Sequence, residues 1–210
     1  DIDGEADTIY GDRSGRSISL SSDGSVIAIG AHFNDGNGKA SGHVRIYQND
    51  SGSWKQIGSD IDGESVWDQS GWSVSLSSDG SVVAIGAPNN DDGGSAAGHV
   101  RIYQNNNSIR QQIGDDIDGE RDYDNSGRSV SLSSDGSVVA IGAHGNHWES
   151  GHVRIYQNVN NSWTQVGADI DGEEFDDYSG SSVSLSADGS VVAIGARGND
   201  GNGEESGHVR

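Results

Sequence analysis

The sequence predicts an all-β fold, a β-propeller built of four-stranded antiparallel blades. The segment Gly-His-Val-Arg-Ile-Tyr-Gln-Asn occurs unchanged at 42–49, 98–105 and 151–158. An Asp-Gly-Ser turn recurs with its aspartate at 23, 79, 135 and 188, so the repeating unit is 53 to 56 residues long. No window shows the periodicity of an amphipathic helix. Four short strands in a unit of about this length are typical of a propeller blade.

The second unit shows the four expected strands best. Residues 73–77 alternate apolar residues with serines, as in a strand with one buried face. Asp79-Gly80 predicts a two-residue hairpin turn, because glycine accepts a positive φ at little cost. The run 81–87 is apolar on both faces, which predicts a strand covered on both sides. The third and fourth strands are expected at 99–104 and 109–113, and the fourth is clearer at 163–166 in the third unit.

The chain is expected to form one repeat domain over 1–210, because a single blade cannot bury both of its faces. Acidic Asp-Ile-Asp-Gly-Glu loops join the blades. The last unit stops inside its third strand, which leaves two alternatives open: a larger propeller, or an open edge completed by a strand of another copy. We favour the larger propeller, because the chain stops at no natural boundary. The expected blades are 14–58, 70–114, 126–167 and an incomplete 179–210.

The charge narrows the range of partners. The chain carries 33 acidic and 12 basic residues, a formal net charge of −21. Such a field repels nucleic acid and anionic membranes, so neither is an expected partner. Cysteine is absent, which excludes disulfides and thiol chemistry. No apolar run approaches the length of a membrane span, so membrane insertion is not expected.

Over Ser70–Pro88 and Gly98–Gln104 the sequence resembles the FG-GAP repeat of integrin alpha chains and of many secreted proteins. The resemblance covers all four units. Its anchors are a glycine before the first strand, Gly-Ala after the second and a glycine opening the third. It implies a propeller of about seven blades and an extracellular or cell-surface location. Serine replaces the phenylalanine of Phe-Gly. The family's calcium loop is reduced here to a Ser-Asp-Gly turn, so the resemblance does not carry its metal site over.

The acidic loops suggest a calcium site of another kind. In units two to four, acidic residues stand at positions 1, 3, 5 and 9 of each loop, the side-chain spacing of an EF-hand-type loop. Glycine at position 4 instead of 6 counts against this hypothesis, and the alternative is a solvated loop whose aspartates cap turns. The candidate ligands are Asp60, Asp62, Glu64, Asp68, Asp116, Asp118, Glu120, Asp124, Asp169, Asp171, Glu173 and Asp177.

Two other recurring features are interpreted as structural. The Gly/Asn/Asp loops before the third strand could hold cations, but this composition is what flexible turns use. A histidine at 43, 99, 152 and 208 stands two residues before an arginine in every unit. Because the pair is repeated, it is expected to pack and hydrogen-bond between blades rather than to form a catalytic site.

An Asn-x-Ser sequon is expected at each hairpin tip after the third strand. A glycan at these sites and plain turn chemistry are equally compatible with the sequence. The candidate asparagines are Asn49, Asn106 and Asn160.

The function that these features predict is a non-enzymatic extracellular module, structural or adhesive, and part of a surface filament or matrix. Its expected partners are further blades of the same chain or other protein copies. One alternative is a carbohydrate-binding propeller, in which Trp67, Trp72 and Trp148 stack on glycans. A second alternative is an enzyme with a site in the central channel, which nearly identical blades do not favour.

Overall fold

The computed structural model of the protein describes residues 1–5, 11–106 and 109–210, without the side chains of 106, 109, 147 and 148. The described chain forms four antiparallel sheets in succession, three with five strands and the last with three. One four-residue helix, α1 (Asn146–Glu149), interrupts the strands. The prediction of an all-β fold made of propeller blades is confirmed.

In the first blade, the order of the strands along the chain is also their order across the sheet, β1-β2-β3-β4. A short fifth strand pairs with the start of β3, beyond the point where β4 ends. The acidic loop therefore begins as part of the outer sheet edge. The bounds are β1 Ser17–Leu20, β2 Val26–Ala31, β3 His43–Asp50, β4 Ser53–Gln56 and β5 Ile61–Asp62.

The second and third blades repeat this arrangement, and the fourth holds the first three of its strands. The second blade contains β6 Ser73–Leu76, β7 Val82–Ala87, β8 His99–Asn106, β9 Ile109–Gln112 and β10 Ile117–Asp118. The third contains β11 Ser129–Leu132, β12 Val138–Ala143, β13 His152–Val159, β14 Ser162–Gln165 and β15 Ile170–Asp171. The fourth contains β16 Ser179–Leu185, β17 Val192–Ala196 and β18 His208–Val209.

The first hairpin turn of each blade is longer than predicted. In the second blade the last backbone hydrogen bond of the hairpin joins Ser77 to Val82, so four residues form the turn rather than two. The reason is a set of side-chain hydrogen bonds. Asp79 Oδ1 accepts from the hydroxyl of Ser77 at 2.7 Å and from the backbone N–H of Ser81 at 2.9 Å. A turn whose backbone and serine side chains donate hydrogen bonds to a central carboxylate needs four residues instead of two.

The core lies between the blades rather than within them. Successive residues of β7 point to opposite faces, as in any strand. Val82 and Ala84 pack with the third blade, whereas Val83 and Ile85 pack with the first. A strand apolar on both faces is therefore covered by two neighbours.

The two end blades leave apolar side chains exposed. Val191 stands at the same repeat position as Val82, yet it is 64% exposed where Val82 is 6% exposed. Leu20 of the first blade is 55% exposed, whereas its counterpart Leu76 is 8% exposed. The apolar run that predicts a strand covered on both sides in the second unit recurs in the fourth unit. There the same prediction is wrong, because only a neighbouring blade provides the burial.

Backbone contacts join neighbouring blades directly. A Cβ atom added to Gly86 would lie 2.0 Å from the carbonyl oxygen of Gly127 in the next blade. The hydroxyl of Ser73 donates to the same carbonyl at 2.7 Å. At the opposite end of the blades, the N–H of Ser78 donates to the carbonyl of Ser134, 2.8 Å away. Equivalent contacts join the first blade to the second and the third to the fourth. Among the described residues, no helix has the length and apolar character to cross a membrane.

Candidate functional site

The last aspartate of each acidic loop caps the loop. Asp68 is 2% exposed. Its Oδ2 accepts from the backbone N–H groups of Glu64 and Ser65 at 3.2 and 2.8 Å, and from the side-chain amide of Asn90 at 3.2 Å. Asp124 and Asp177 make the same contacts in their units. The asparagine was missed from the sequence, although it recurs three residues after each Gly-Ala pair, at 34, 90, 146 and 199.

The other acidic residues of a loop are divided between two blades. Glu64 reaches into the second blade, where its Oε1 lies 3.3 Å from Arg101 Nη1. Arg101 also donates to the backbone carbonyl of Asp62 at 2.7 Å. Arg154 and Arg210 make these contacts with the following loops, through the carbonyls of Asp118 and Asp171 and the carboxylates of Glu120 and Glu173. The recurring arginine therefore links blades, as predicted. The hydrogen bonds predicted for the recurring histidine are wrong for His99 and His152, whose ring nitrogens are buried without a partner among the described residues.

The first aspartate of each loop faces the histidine of the blade that it follows. Asp60 lies 3.6 Å from His43, Asp116 lies 3.5 Å from His99, and Asp169 lies 3.7 Å from His152. Within the described residues, the side chains that come within reach of one metal ion thus belong to different loops. These groups are Glu5, His43 and Asp60; Glu64, Asp92, His99 and Asp116; and Glu120, His152 and Asp169.

The second blade holds the most acidic of these clusters. It has three carboxylates, from Glu64, Asp92 and Asp116, beside Arg101. Burial raises the pKa of Glu64, and Asp116 and Asp92 raise it further. His99 is 1% exposed, and neither of its ring nitrogens has a hydrogen-bond partner among the described residues. Burial, followed by the charge of Arg101, lowers the pKa of His99 to about 4, so the ring is neutral near pH 7.

In the first blade, arginine neutralises the cluster. Arg45 Nε donates to Asp60 at 3.0 Å, and Arg45 also pairs with Glu5. Although burial alone would raise the pKa of Asp60, hydrogen bonds from Arg45 and Gln56 lower it. A carboxylate already bound in this way has less to gain from a cation.

The hairpin turn that replaces the calcium loop of the resembled family does not fit that ion. The turn in the second blade offers one carboxylate, Asp79, whose Oδ1 is occupied by Ser77 and Ser81. Calcium needs six to eight oxygen ligands. The turns at Asp23, Asp135 and Asp188 have the same hydrogen bonds.

The structure also gathers residues that the repeat does not share. Over the 18 residues from Ser70 to Ala87 the four units are nearly identical, with one strongly variable position: Arg16, Trp72, Arg128 and Ser181. Arg16, Trp72 and Arg128 directly precede the inner strands of their blades, and Ser181 lies within β16. All four line one pocket between the inner strands, which we call the mouth of the central channel. Two flanking positions vary as well, one occupied by Arg13, Gln69, Asn125 and Tyr178 and the other by His32, Pro88, His144 and Arg197. Variation confined to a constant repeat was the signal that could have revealed them.

These variable side chains contact one another across the blades. The guanidinium carbons of Arg16 and Arg128 lie 4.5 and 4.1 Å from the centre of the Trp72 ring. The His32 ring meets Trp72 edge-on, with ring centres 4.9 Å apart. Arg197 lies over Tyr178 at 3.9 Å. We call Arg16, His32, Trp72, Arg128, His144, Tyr178 and Arg197 the mouth cluster.

Only one of the tryptophans suggested for sugar stacking has a largely exposed described side chain. Trp72 is half-buried beneath two arginines, whereas Trp67 is 42% exposed with Lys39 over its ring. The side chain of Trp148 lies outside the described part. The sequon asparagines Asn49 and Asn160 are exposed at hairpin tips, while the side chain of Asn106 and residues 107 and 108 lie outside it too. Glycosylation stays a prediction.

Comparison with known proteins finds a family that matches two segments of the chain. A family described as FG-GAP repeat matches residues 5–47 and 61–103. No curated protein sequence matches the chain.

Three solved structures share the fold at low sequence identity. A protein assigned as a 6-phosphogluconolactonase from Bacteroides uniformis aligns with a TM-score of 0.62 at 13% identity, over 95% of this chain and 53% of its own. Hydrazine synthase from Kuenenia stuttgartiensis aligns with a TM-score of 0.55 at 18% identity, over 96% of this chain and 58% of its own. TolB from Acinetobacter baumannii aligns with a TM-score of 0.52 at 15% identity, over 92% of this chain and 42% of its own. The chain thus spans about half the length of these structures, and the likeness concerns the fold alone.

The buried histidine of the mouth cluster leads to a test of pH dependence. Burial, with the charges of Arg16, Arg13 and Arg128, lowers the pKa of His32 from 6.5 to about 4. The unfolded chain therefore binds a proton at a higher pH than the folded chain does. The stability that neutral His32 contributes is complete above pH 6.5 and is lost as the pH falls towards 4.

We expect the stability advantage of the wild type over a His32→Gln variant to shrink by about 1–3 kcal/mol between about pH 7.5 and about pH 4.5. Urea unfolding at each pH measures it. The difference in free energy of unfolding between the two proteins removes the effect of the many carboxylates, which both share. The matched control is His208→Gln, a substitution at a half-exposed histidine. A constant difference across this range would contradict the burial of a neutral imidazole.

Proposed function

Because residues 5–47 and 61–103 belong to the FG-GAP repeat family, we propose that the chain is a non-enzymatic, structural or adhesive β-propeller module that works outside the cell or at its surface. The polar groups that recur in every unit support this proposal. The capping aspartates hold their loops and bind an asparagine of the blade that follows, and the recurring arginines bind the loop before their own blade, instead of converging on a substrate. Such residues build an interaction scaffold.

The observation that carries the proposal is the exposed apolar surface of the two end blades. Ile18 and Leu20 on the first blade, and Val191 and Val209 on the last, are each more than half exposed. At the junctions between blades, equivalent positions are buried against a neighbour. Further blades, whether of the same polypeptide or of another copy, offer the matching surface. A module of this kind suits a surface filament or matrix.

Self-association of the 210-residue chain tests this proposal. We expect sedimentation velocity to show association that grows with concentration, because open blade faces bury apolar surface when they meet. Leu20→Asp should shift the chain towards monomer. Ser51→Asp, which adds the same charge at a distant hairpin tip, should not. If the wild-type chain stays monomeric at all concentrations, the proposal that other copies of the chain are its partners is wrong.

A calcium ion at the second blade is a further part of the proposed function. Glu64, Asp92 and Asp116 provide carboxylate oxygens around one point, and Arg101 pairs with Glu64 among them. Oxygen ligands of this kind are those that calcium prefers. In the first and third blades, two carboxylates face one arginine, so weaker binding is expected there.

We expect calcium to raise the melting temperature relative to chelator, since a ligand that binds only the folded state stabilises it by about 2.7 kcal/mol at a hundred times its Kd. Differential scanning calorimetry measures the shift. Asp92→Asn should remove most of it. Asp115→Asn, an exposed neighbour with the same change in charge, should leave it intact. Equal melting curves with calcium and with chelator would refute the site and leave the loops as solvated connections.

A further inference from the structure

We propose that the mouth cluster binds the oxyanion group, a sulfate or a carboxylate, of a small ligand through Arg16 and Arg128 beside Trp72. The three residues come from three different blades and are the variable members of a nearly constant repeat. A site formed by residues that differ between the units is asymmetric. Recognition of a single ligand requires such asymmetry.

The arrangement concentrates positive charge. Arg16 and Arg128 share the ring of Trp72 at 4.5 and 4.1 Å, and Arg197 stands nearby over Tyr178. Burial lowers the pKa of Arg128, and the charges of Arg16 and Arg197 lower it further. These guanidinium groups therefore repel one another, and an anion bound in the pocket that Arg16 and Arg128 both line would relieve the repulsion.

The acidic protein does not neutralise this charge. In the part of the chain that the structure describes, ion pairs hold the recurring Arg45, Arg101, Arg154 and Arg210. None of these pairs involves Arg16, Arg128 or Arg197. Guanidinium groups held by aromatic rings keep their N–H donors free for an oxyanion, which they bind with charge-assisted hydrogen bonds.

The buried His32 and the half-buried His144 add unpartnered polar atoms to the same place. His32 is 1% exposed, and its Nδ1 has no hydrogen-bond partner among the described residues. The Nδ1 of His144 is buried and unpartnered as well. The charge of Arg128 is among the causes that lower the pKa of both histidines, so Arg128 lies near both. Buried polar atoms without partners are rare in native proteins and are expected where a ligand completes the site.

The size of the pocket and the charge around it favour a small ligand. A pocket of about 310 Å³ is lined by Arg16, Trp72, Arg128 and Ser181, among others. It holds one small molecule rather than a polymer. The net charge of −21 also repels long polyanions, such as nucleic acid or a sulfated polysaccharide, once they extend beyond the mouth.

Calorimetric titration at constant ionic strength tests the proposal, with inorganic sulfate and glucuronate as probes and glucose as the neutral control. We expect saturable binding of at least one oxyanion and none of glucose. Arg128→Gln should weaken binding about tenfold or more, the effect of losing a charge-assisted hydrogen bond. Lys55→Gln, an exposed hairpin cation with the same change in charge, should bind as the wild type does.

Circular dichroism and a thermal melt establish that each variant is folded. If Arg128→Gln does not fold, Arg16→Gln decides, because Arg16 is exposed and its loss leaves the core intact. Absence of saturable oxyanion binding to the wild type would overturn the proposal. So would equal binding by the wild type and both arginine variants, or binding of glucose as tight as that of glucuronate. In those cases the stacked arginines serve only to fill the mouth.

Discussion

The contact on which the rest of the structure depends is the approach of one blade's backbone to that of the next. Gly86 lies against the carbonyl of Gly127, and Gly30 and Gly142 make the same contact at the other two junctions. A side chain at any of these positions would push the blades apart. The apolar faces of the second strands meet only because the backbones come this close. The same close approach brings the recurring arginines within reach of the acidic loops that they bind.

Much of the fold could be predicted from the sequence, because alternation within a strand and repetition between units are local patterns. The length of the first hairpin could not, since Asp79 binds serines on both sides of the turn. The partner of Glu64 could not either, because Arg101 belongs to the next blade. Exposure of Val191 follows from the same dependence: its sequence environment equals that of Val82, and only the neighbour differs.

The repeat separates two kinds of polar residue. Those present in every unit, such as the capping Asp68 and the bridging Arg101, hold loops and blades together. Those that vary, such as Trp72 and Arg128, meet at the channel mouth and make few hydrogen bonds of their own. A scaffold built from constant residues leaves the variable ones free to acquire a binding role. Comparing units within one chain thus distinguishes the residues that build the fold from candidates for function, without any second sequence.

One pair of substitutions tests the central claim that backbone contact between blades governs the fold. Gly86 and Gly195 occupy the same repeat position without a positive φ, but a Cβ at Gly195 would meet only atoms of Ser182, whose hydroxyl is the nearest and can rotate away. Urea unfolding should show that Gly86→Ala costs about 2–4 kcal/mol, whereas Gly195→Ala changes the free energy of unfolding by less than about 1 kcal/mol. Equal effects of the two substitutions would contradict the account.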